Sequence, residues 1–276
     1  MRNLKIAIIC IFLIVSVAFC ALFAYDRLVV DHQPPLIVCD GQPLLVSVNA
    51  TDEDLCAGLT ATDDVDGDIT DRIIVRKVSQ LVSSSSATVS YVVFDSASNV
   101  CTYSRYVTYT DYCRPTFAQL QPLVYNVDSQ PSLDGYLVAN DAIDGDISGR
   151  IRINSNNFTS AVEGNYPLHV SVTNSLGDTS TVDLVVQIRN YSPLHPTLSL
   201  KDYLIYISLD EELSEAELRS YIVSVQETQT GGKADPSAVE ILSELNCSQR
   251  GSYQVYYSYT NSQNLSCTAI LTVVVE

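Results

Sequence analysis

The chain has 276 residues, and its 46% hydrophobic content excludes a wholly disordered protein. The formal net charge is −17, and all 32 acidic residues lie at or beyond Asp26. An acidic field of this size repels nucleic acid and anionic membrane surfaces, so nucleic acid is not an expected partner and the charges are expected to serve solubility. The 17 tyrosines, the single methionine and the absence of tryptophan suit strands better than helices.

The N-terminus carries a run of apolar or small residues, Ile6 to Ala24, interrupted only by Ser16. About 20 such residues cross a bilayer core as a helix. Arg2 and Lys5 precede the run, and positive charge stays on the cytoplasmic side, so the N-terminus is predicted inside and the remainder outside. The chain is therefore predicted to be a single-pass protein of the cell membrane. A cleaved signal peptide is the alternative, although no clean Ala-x-Ala site follows the run.

An aspartate-rich motif occurs twice in the exported part. Thr62–Thr70 (TDDVDGDIT) returns as Asn140–Ser148 (NDAIDGDIS), and the shared Asp-Gly-Asp-Ile segments lie 78 residues apart. A second recurrence follows each copy, because Phe94–Val100 is echoed by Thr173–Thr179 and more faintly by Thr260–Asn264. Two landmarks at matching spacing indicate a repeated domain.

The remaining pattern consists of short strands separated by turn residues, which is typical of an antiparallel sandwich. Ala87 to Phe94 is predicted as a long strand that turns at Asp95–Asn99 into a partner strand, Val100 to Thr110. Asp52-Glu53-Asp54 is predicted to begin a loop. Ser214-Glu215-Ala216-Glu217 matches a capping box and predicts one short helix near the C-terminal end of the chain.

These motifs resemble a known family. D-x-D-G-D-I-T, an alternating strand, D-s-x-s-N and a final strand rich in Tyr and Val resemble the Ig-like domain of bacterial surface proteins, often described as the Ig-like fold of pesticidal crystal proteins. Tyr109–Tyr112 and Val172–Asp178 further resemble membrane-anchored, multi-Ig proteins of Gram-positive bacteria. The resemblance covers most of Val29–Asn190 and, more weakly, Pro193–Glu276. It implies the fold but little about function, because that family is largely uncharacterised.

The predicted architecture is all-β, with three tandem Ig-like β-sandwich domains after an N-terminal transmembrane helix and one short helix in the third domain. Pro34-Pro35 favours extended chain and closes a stalk ahead of the first domain. The third domain lacks the Asp-Gly-Asp motif and is the most divergent. The divisions are a cytoplasmic tip and signal-anchor helix (1–25), a stalk (26–35), and domains at 36–112, 113–190 and 191–276.

Six cysteines follow the membrane run, which in an exported chain suggests three disulfides with 15 possible connectivities. The third domain holds a single pair. In an Ig-like sandwich the first and last strands run side by side in parallel, and this arrangement favours a pairing for the other four; two of them also resemble the cysteines of hyalin repeats. Free buried thiols are the alternative. The predicted bonds are Cys39–Cys101, Cys56–Cys113 and Cys247–Cys267.

The aspartate motifs allow two interpretations. Carboxylates are the ligands that Ca²⁺ prefers, but neither copy has the ligand ladder ending in Glu that an EF-hand needs. The favoured interpretation is a structural turn, in which Asp-Gly bends the chain, Asp side chains accept local backbone amides, and Ile69 or Ile147 fills the core. The less favoured calcium ligands are Asp63, Asp64, Asp66, Asp68, Asp141, Asp144 and Asp146.

The chain is not expected to be an enzyme, and neither catalytic residues nor a cofactor are predicted. G-x-S-x-G, Walker and H-E-x-x-H motifs are absent from the sequence, although paired carboxylates by residue type alone are compatible with glycoside hydrolysis. The predicted function is an adhesive, protein-binding or spacer module at the bacterial cell surface, with an unidentified extracellular protein or glycan as partner. The alternative is a carbohydrate-binding or accessory module for a separate surface hydrolase.

Overall fold

The structure is a computed structural model that describes residues 2–29, 31–154, 159–227 and 232–276. The chain forms two compact units, Met1–Asp111 and Tyr112–Glu276. Strands dominate both units, which confirms the predicted all-β class.

In the first unit the described residues form one long helix, one short helix and the seven strands of the first sandwich. In chain order these are α1 (Arg2–Val29), β1 (Leu36–Cys39), β2 (Leu44–Val46), α2 (Asp52–Cys56), β3 (Leu59–Asp63), β4 (Gly67–Asp68), β5 (Ile74–Val78), β6 (Ser86–Phe94) and β7 (Val100–Tyr109).

The first sandwich has two sheets, with strand orders β1-β3-β4 and β2-β7-β6-β5. Strand β2 pairs with β7 in parallel, and all other pairs are antiparallel. Side chains of β6 alternate between the core and the outside, so that Ala87, Val89, Tyr91 and Val93 are buried. This period of two is the pattern that the sequence shows for a half-buried strand.

Helix α1 contains the apolar run, as predicted. Its window Ile8–Tyr25 has a mean hydropathy of 2.8, and none of that window is buried in the structure. By length and composition this helix can cross a membrane, a property that anchors and signal sequences share.

Helix α2 replaces a predicted loop. Thr51 is its N-cap: the Thr51 hydroxyl accepts from the Asp54 amide, and the Asp54 carboxylate accepts from the Thr51 amide. The sequence prediction missed this capping box because the third helical residue is Asp instead of the usual Glu or Gln. Leu55 is the buried residue of the helix and attaches it to the core.

The described residues of the second unit form thirteen strands and one short helix. The second sandwich comprises β8 (Thr116–Gln119), β9 (Val124–Asn126), β10 (Leu137–Asp141), β11 (Gly145–Asp146), β12 (Arg152–Ile153), β13 (Gly164–Thr173) and β14 (Thr179–Arg189). The third comprises β15 (Thr197–Leu200), β16 (Leu204–Ile207), α3 (Glu215–Ser220), β17 (Ile222–Gln226), β18 (Glu240–Ser243), β19 (Gly251–Thr260) and β20 (Ser266–Val275).

The second and third sandwiches repeat the plan of the first. Their sheets have the orders β11-β10-β8 and β12-β13-β14-β9, then β15-β17 and β16-β20-β19-β18. In each sandwich a short early strand pairs in parallel with the last strand, β9 with β14 and β16 with β20. Helix α3 is the predicted one, and Ser214 and Glu217 form its capping box.

The second and third sandwiches pack against each other within the second unit. Leu204 and Val274 of the third sandwich belong to the buried cluster of the second. The Phe117 amide donates to the Tyr206 hydroxyl at 2.8 Å. The predicted boundary between residues 190 and 191 therefore lies inside one compact unit.

Candidate functional site

The first aspartate motif forms a hairpin turn followed by one turn of 3₁₀ helix. Asp63 pairs with Gly67, whose φ of 73° is in the left-handed region that glycine adopts without strain. The Asp63 Oδ2 atom accepts from the amides of Val65 (3.0 Å) and Asp66 (2.9 Å). Ile69 is fully buried in the core. These contacts confirm the structural turn.

The second copy has the same geometry. Asp141 pairs with Gly145, whose φ is 68°. Asp141 Oδ1 accepts from the amides of Ile143 and Asp144, each at 2.9 Å. Ile147 is 2% exposed. The two copies therefore place equivalent atoms at equivalent positions of the turn.

The aspartate immediately before the glycine of each motif connects that motif to the second recurrence. Asp66 Oδ2 accepts from the amide and the hydroxyl of Ser96, both at 2.7 Å, and from Arg72 at 2.8 Å. These hydrogen bonds, those from Ser96 first, hold the pKa of Asp66 below its ordinary value. The two recurrent motifs of the sequence thus form one hydrogen-bonded unit.

Asp144 does the same in the second sandwich. It accepts from the amide and the hydroxyl of Ser175, both at 2.7 Å, and pairs with Arg150. Burial works to raise the pKa of Asp144, but the hydrogen bonds from Ser175 and the Arg150 charge outweigh it, so this pKa is also lowered.

The second recurrence is a turn closed by its first and fifth residues. In the first sandwich Asp95 accepts from the Asn99 amide at 2.7 Å and from Asn99 Nδ2 at 2.8 Å. In the second sandwich the residue types are exchanged, and Asn174 Oδ1 accepts from the Asp178 amide at 2.9 Å. In the third, Asn261 Oδ1 accepts from the Leu265 amide at 2.9 Å. The first residue of the turn is thus charged in the first sandwich alone.

Asp31, Asp63 and Asp95 meet beside this turn, and we call them the acidic cluster. One oxygen of each lies within 4.8 Å of the others. Asp95 is only 7% exposed, and Asp63 Oδ1 is buried without a hydrogen-bond donor among the described residues. The Asp31 carbonyl accepts from Asn99 Nδ2 at 3.1 Å, which holds the Asp31 segment at this place.

The corresponding position of the second sandwich is fully paired. Asp141 Oδ2, the counterpart of Asp63 Oδ1, accepts from Asn174 Nδ2 at 3.0 Å. Tyr112, four residues before β8, donates its hydroxyl to Asp178 at 2.9 Å. Arg114 forms an ion pair with Asp178 at 3.2 Å. Burial first, and then the bond to Asp178, raise the pKa of Tyr112, which therefore stays protonated as a donor.

The carboxylates of the acidic cluster therefore repel one another, whereas Asp141 of the second sandwich has an amide donor in Asn174. Two unit charges 4.8 Å apart repel by about 3.5 kcal/mol at an effective dielectric constant of about 20. A buried carboxylate oxygen with no donor adds a desolvation cost. A cation can relieve both, and carboxylate oxygens are the ligands that Ca²⁺ prefers.

The seven predicted calcium ligands thus lie in different surroundings. Asp63 lies in the acidic cluster, while Asp64 is exposed. The other five serve the turns: Asp66 and Asp144 as described above, Asp68 through the Thr70 amide, Asp146 through the Ser148 amide, and Asp141 through Asn174. Asp31 and Asp95 also belong to the acidic cluster, but they were not among the predicted ligands. The sequence signal for Asp95 was that Asn174 occupies the same recurrent position in the second sandwich.

The structure contains no disulfide bond between the predicted cysteine pairs, and the three bonds stay predictions. Cys267 lies at the start of β20, where it pairs with Tyr259. The Cys247 carbonyl accepts from the Asp210 amide, and the neighbouring Leu209 amide donates to the Glu276 carbonyl just after the other end of β20. From Cys267 to Val275 the strand rises about 26 Å, at about 3.3 Å per residue. A disulfide needs Cα atoms within about 7 Å, so the strand register does not support a Cys247–Cys267 bond.

In the structure the cysteines of the other two predicted bonds make different contacts. Cys39 Sγ accepts from Arg105 Nη1 at 3.5 Å instead of joining Cys101. Cys56 and Cys113 are likewise thiols. Burial, first among its causes, raises the pKa of Cys56, and burial raises the pKa of Cys267 to about 11. Thiols with a raised pKa are weak nucleophiles, which suits packing in the sandwich.

Comparisons with known proteins leave the family open. No protein-family model and no curated protein matches the chain. Among solved structures, the CBM51-2 and INT domains of Clostridium perfringens ZmpB, determined with GlcNAc, share 21% identity over 54% of this chain and 26% of that chain, with a TM-score of 0.23. Protocadherin Gamma B2 extracellular cadherin domains 1–5 share 15% over 70% of this chain and 46% of that chain, with a TM-score of 0.19.

Domains 4–9 of the surface layer protein SbsC share 14% identity over 87% of this chain and 49% of that chain, with a TM-score of 0.20. The chain thus spans between a quarter and a half of the length of these three structures. At these TM-scores the similarities carry no argument about function, and the architecture rests on the strand pairing described above.

Proposed function

We propose that this chain is a single-pass membrane protein whose α1 helix holds acidic Ig-like sandwiches outside the cell, where they act as an adhesive, protein-binding or spacer module. The N-terminus is cytoplasmic in this proposal, because Arg2 and Lys5 precede the apolar run. The bacterial surface setting follows from the sequence resemblance of the aspartate motifs.

The observation that carries the proposal is the contrast between α1 and the sandwiches. Large side chains on α1, such as Phe12, Ile14 and Leu22, are each more than two-thirds exposed, although the sandwiches bury their own cores. Apolar side chains on this scale gain free energy when they leave water, and a bilayer core accepts a helix of this length. The acidic remainder stays soluble beside an anionic surface that repels it.

Anchoring is tested by expressing the full chain with a C-terminal tag and washing the membranes with alkaline carbonate. We expect the tagged protein to stay in the membrane at its full-length mass, and the tag to be digested when protease is added to intact cells. Ile14→Arg places a charge at the helix centre and is expected to reduce retention, whereas Ile14→Leu is the matched control. A soluble product lacking the N-terminal run would establish a cleaved signal peptide and overturn the anchor.

The binding role is tested with the full chain in lipid nanodiscs, with empty nanodiscs as control. An adhesive or protein-binding module should capture a surface protein from intact cells in a saturable manner. A spacer should capture none, yet should hold a reporter fused to its C-terminus away from the membrane.

A second candidate function, carbohydrate binding, is favoured by a cleft in the second sandwich. Its volume is about 910 Å³, and its lining combines the Tyr125 ring with Asp134, Asp146 and Ser148. An aromatic ring beside several polar groups is a common composition of ligand pockets. A glycan-array signal from the full chain that Asp134→Ala and Tyr125→Ala both abolish would support it, and an array without signal would remove it.

A further inference from the structure

We propose that the acidic cluster of Asp31, Asp63 and Asp95 is a calcium site that fastens the segment after α1 to the first sandwich. This inference rests on the cluster itself and does not depend on the proposed function. Its three carboxylates come from separate parts of the chain: the segment before β1, the end of β3 and the turn after β6.

The first argument is the unpaired oxygen. Asp63 Oδ2 accepts two backbone amides, but Asp63 Oδ1 is buried from solvent and has no donor among the described residues. Buried polar atoms in folded proteins nearly always have a partner, and an exception calls for an explanation such as a bound ion. Asp63 is also the residue that contributes one carboxylate oxygen to the set of three ligand atoms within 4.8 Å of one another.

The second argument is the comparison within the molecule. At the same place in the second sandwich, Asn174 Nδ2 donates to Asp141 Oδ2 at 3.0 Å. The first sandwich has Asp95 in place of Asn174, so a donor has become a further carboxylate. A cation between Asp63 and Asp95 supplies the positive partner that the amide supplies in the second sandwich.

The spacing of the cluster fits Ca²⁺. Calcium binds oxygen at about 2.3–2.6 Å, so oxygens on opposite sides of one ion lie about 4.6–5.2 Å apart. Three ligand atoms that all lie within 4.8 Å of one another can therefore share one Ca²⁺ ion. Mg²⁺ is smaller and demands near-ideal octahedral geometry, whereas Ca²⁺ accepts flexible sets of carboxylates and carbonyls. Water molecules complete the coordination in this assignment.

The consequence concerns the chain that follows α1. Asp31 is attached to the first sandwich through Asn99 Nδ2, which donates to its carbonyl, and through the acidic cluster. With Ca²⁺ bound, the charges in the cluster are compensated and this segment is held. Without Ca²⁺, like-charge repulsion acts against the same contact.

The experiment is calorimetric titration of the chelator-treated full chain in detergent with CaCl₂. We expect one strong site. The double variant Asp95→Asn/Asn99→Asp copies the second sandwich while keeping the net charge, and it should lose the site or weaken it by at least about tenfold, because Ca²⁺ affinity follows the number of charged ligands. Asp64→Asn removes an exposed neighbouring charge and should bind as the wild type does.

Three results would overturn the proposal: no heat on titration, equal binding by the double variant, or equal loss of binding in Asp64→Asn. Circular dichroism of each variant shows whether it is folded. Should the double variant fail to fold, Asp31→Asn, which changes a segment outside the strands, serves in its place with the same expectation. A titration with MgCl₂ checks selectivity, and a tighter site for Mg²⁺ than for Ca²⁺ would contradict the assignment.

Discussion

The first and second sandwiches share a backbone plan and differ in how they compensate one buried carboxylate. Asp63 and Asp141 end equivalent strands and accept equivalent turn amides. The second oxygen of Asp141 has Asn174 as donor, whereas that of Asp63 has no donor among the described residues. A repeated turn can therefore keep its structural role while one of its copies acquires the chemistry of an ion site.

The largest expected effect tests what the two sandwiches have in common. Ile69→Ala and Ile147→Ala each remove a buried side chain from the core, and each should lower the free energy of unfolding by about 2–5 kcal/mol. Urea denaturation of the full chain in detergent measures both. Val65→Ala, at a 69% exposed position of the same motif, is the control and should change stability by less than about 0.5 kcal/mol. A neutral Ile147→Ala would show that the copies are not equivalent.

The next largest expected effect is a loss of stability in acid. The hydroxyl and amide of Thr70 lower the pKa of Asp68, and those of Ser148 lower the pKa of Asp146. The pKa values of Asp66 and Asp144 are lowered as well. Because the unfolded chain takes up these protons at a higher pH than the folded chain, the stability they contribute is complete above their ordinary pKa of about 4 and is lost as the pH falls through the folded values.

The urea midpoint should therefore decrease between pH 5 and pH 3. Asp66→Asn should show a smaller decrease than the wild type over this range, because one of the lowered carboxylates is gone. A midpoint that does not change with acid would contradict the role of these turns.

The smallest expected effect compares the two short helices. Thr51→Ala and Ser214→Ala each remove an N-cap and should cost about 1 kcal/mol of unfolding free energy. Ser84→Ala, at an exposed residue of the loop before β6, should leave stability unchanged within error. Equal stability of Thr51→Ala and Ser84→Ala would show that α2 does not need its cap.

The sequence predicted the features that depend on local pattern. Alternation in β6, the Asp-Gly turn and the capping box of α3 are each contained in a short segment, and the structure has all three. Helix α2 was missed because Asp54 takes the place of Glu in its capping box. The membrane-length helix α1 was visible because its apolar run is continuous.

Features that depend on tertiary contact were predicted less well. Asp31, Asp63 and Asp95 are far apart in the chain and meet only because β1, β3 and β6 fold into one sandwich. The Cys247–Cys267 prediction is unsupported for a related reason, since sharing a domain does not place two residues at the same end of it. A contact between distant residues needs the strand register, which residue types alone do not provide.

The central claim is that the first sandwich needs a cation where the second has its own donors. Thermal unfolding of the full chain in detergent, with Ca²⁺ against chelator, tests it most directly. The wild type should melt at a higher temperature with Ca²⁺, because a ligand that binds only the folded state stabilises it. Asp95→Asn/Asn99→Asp should melt at one temperature in both conditions. Equal melting temperatures for the wild type with Ca²⁺ and with chelator would contradict the claim.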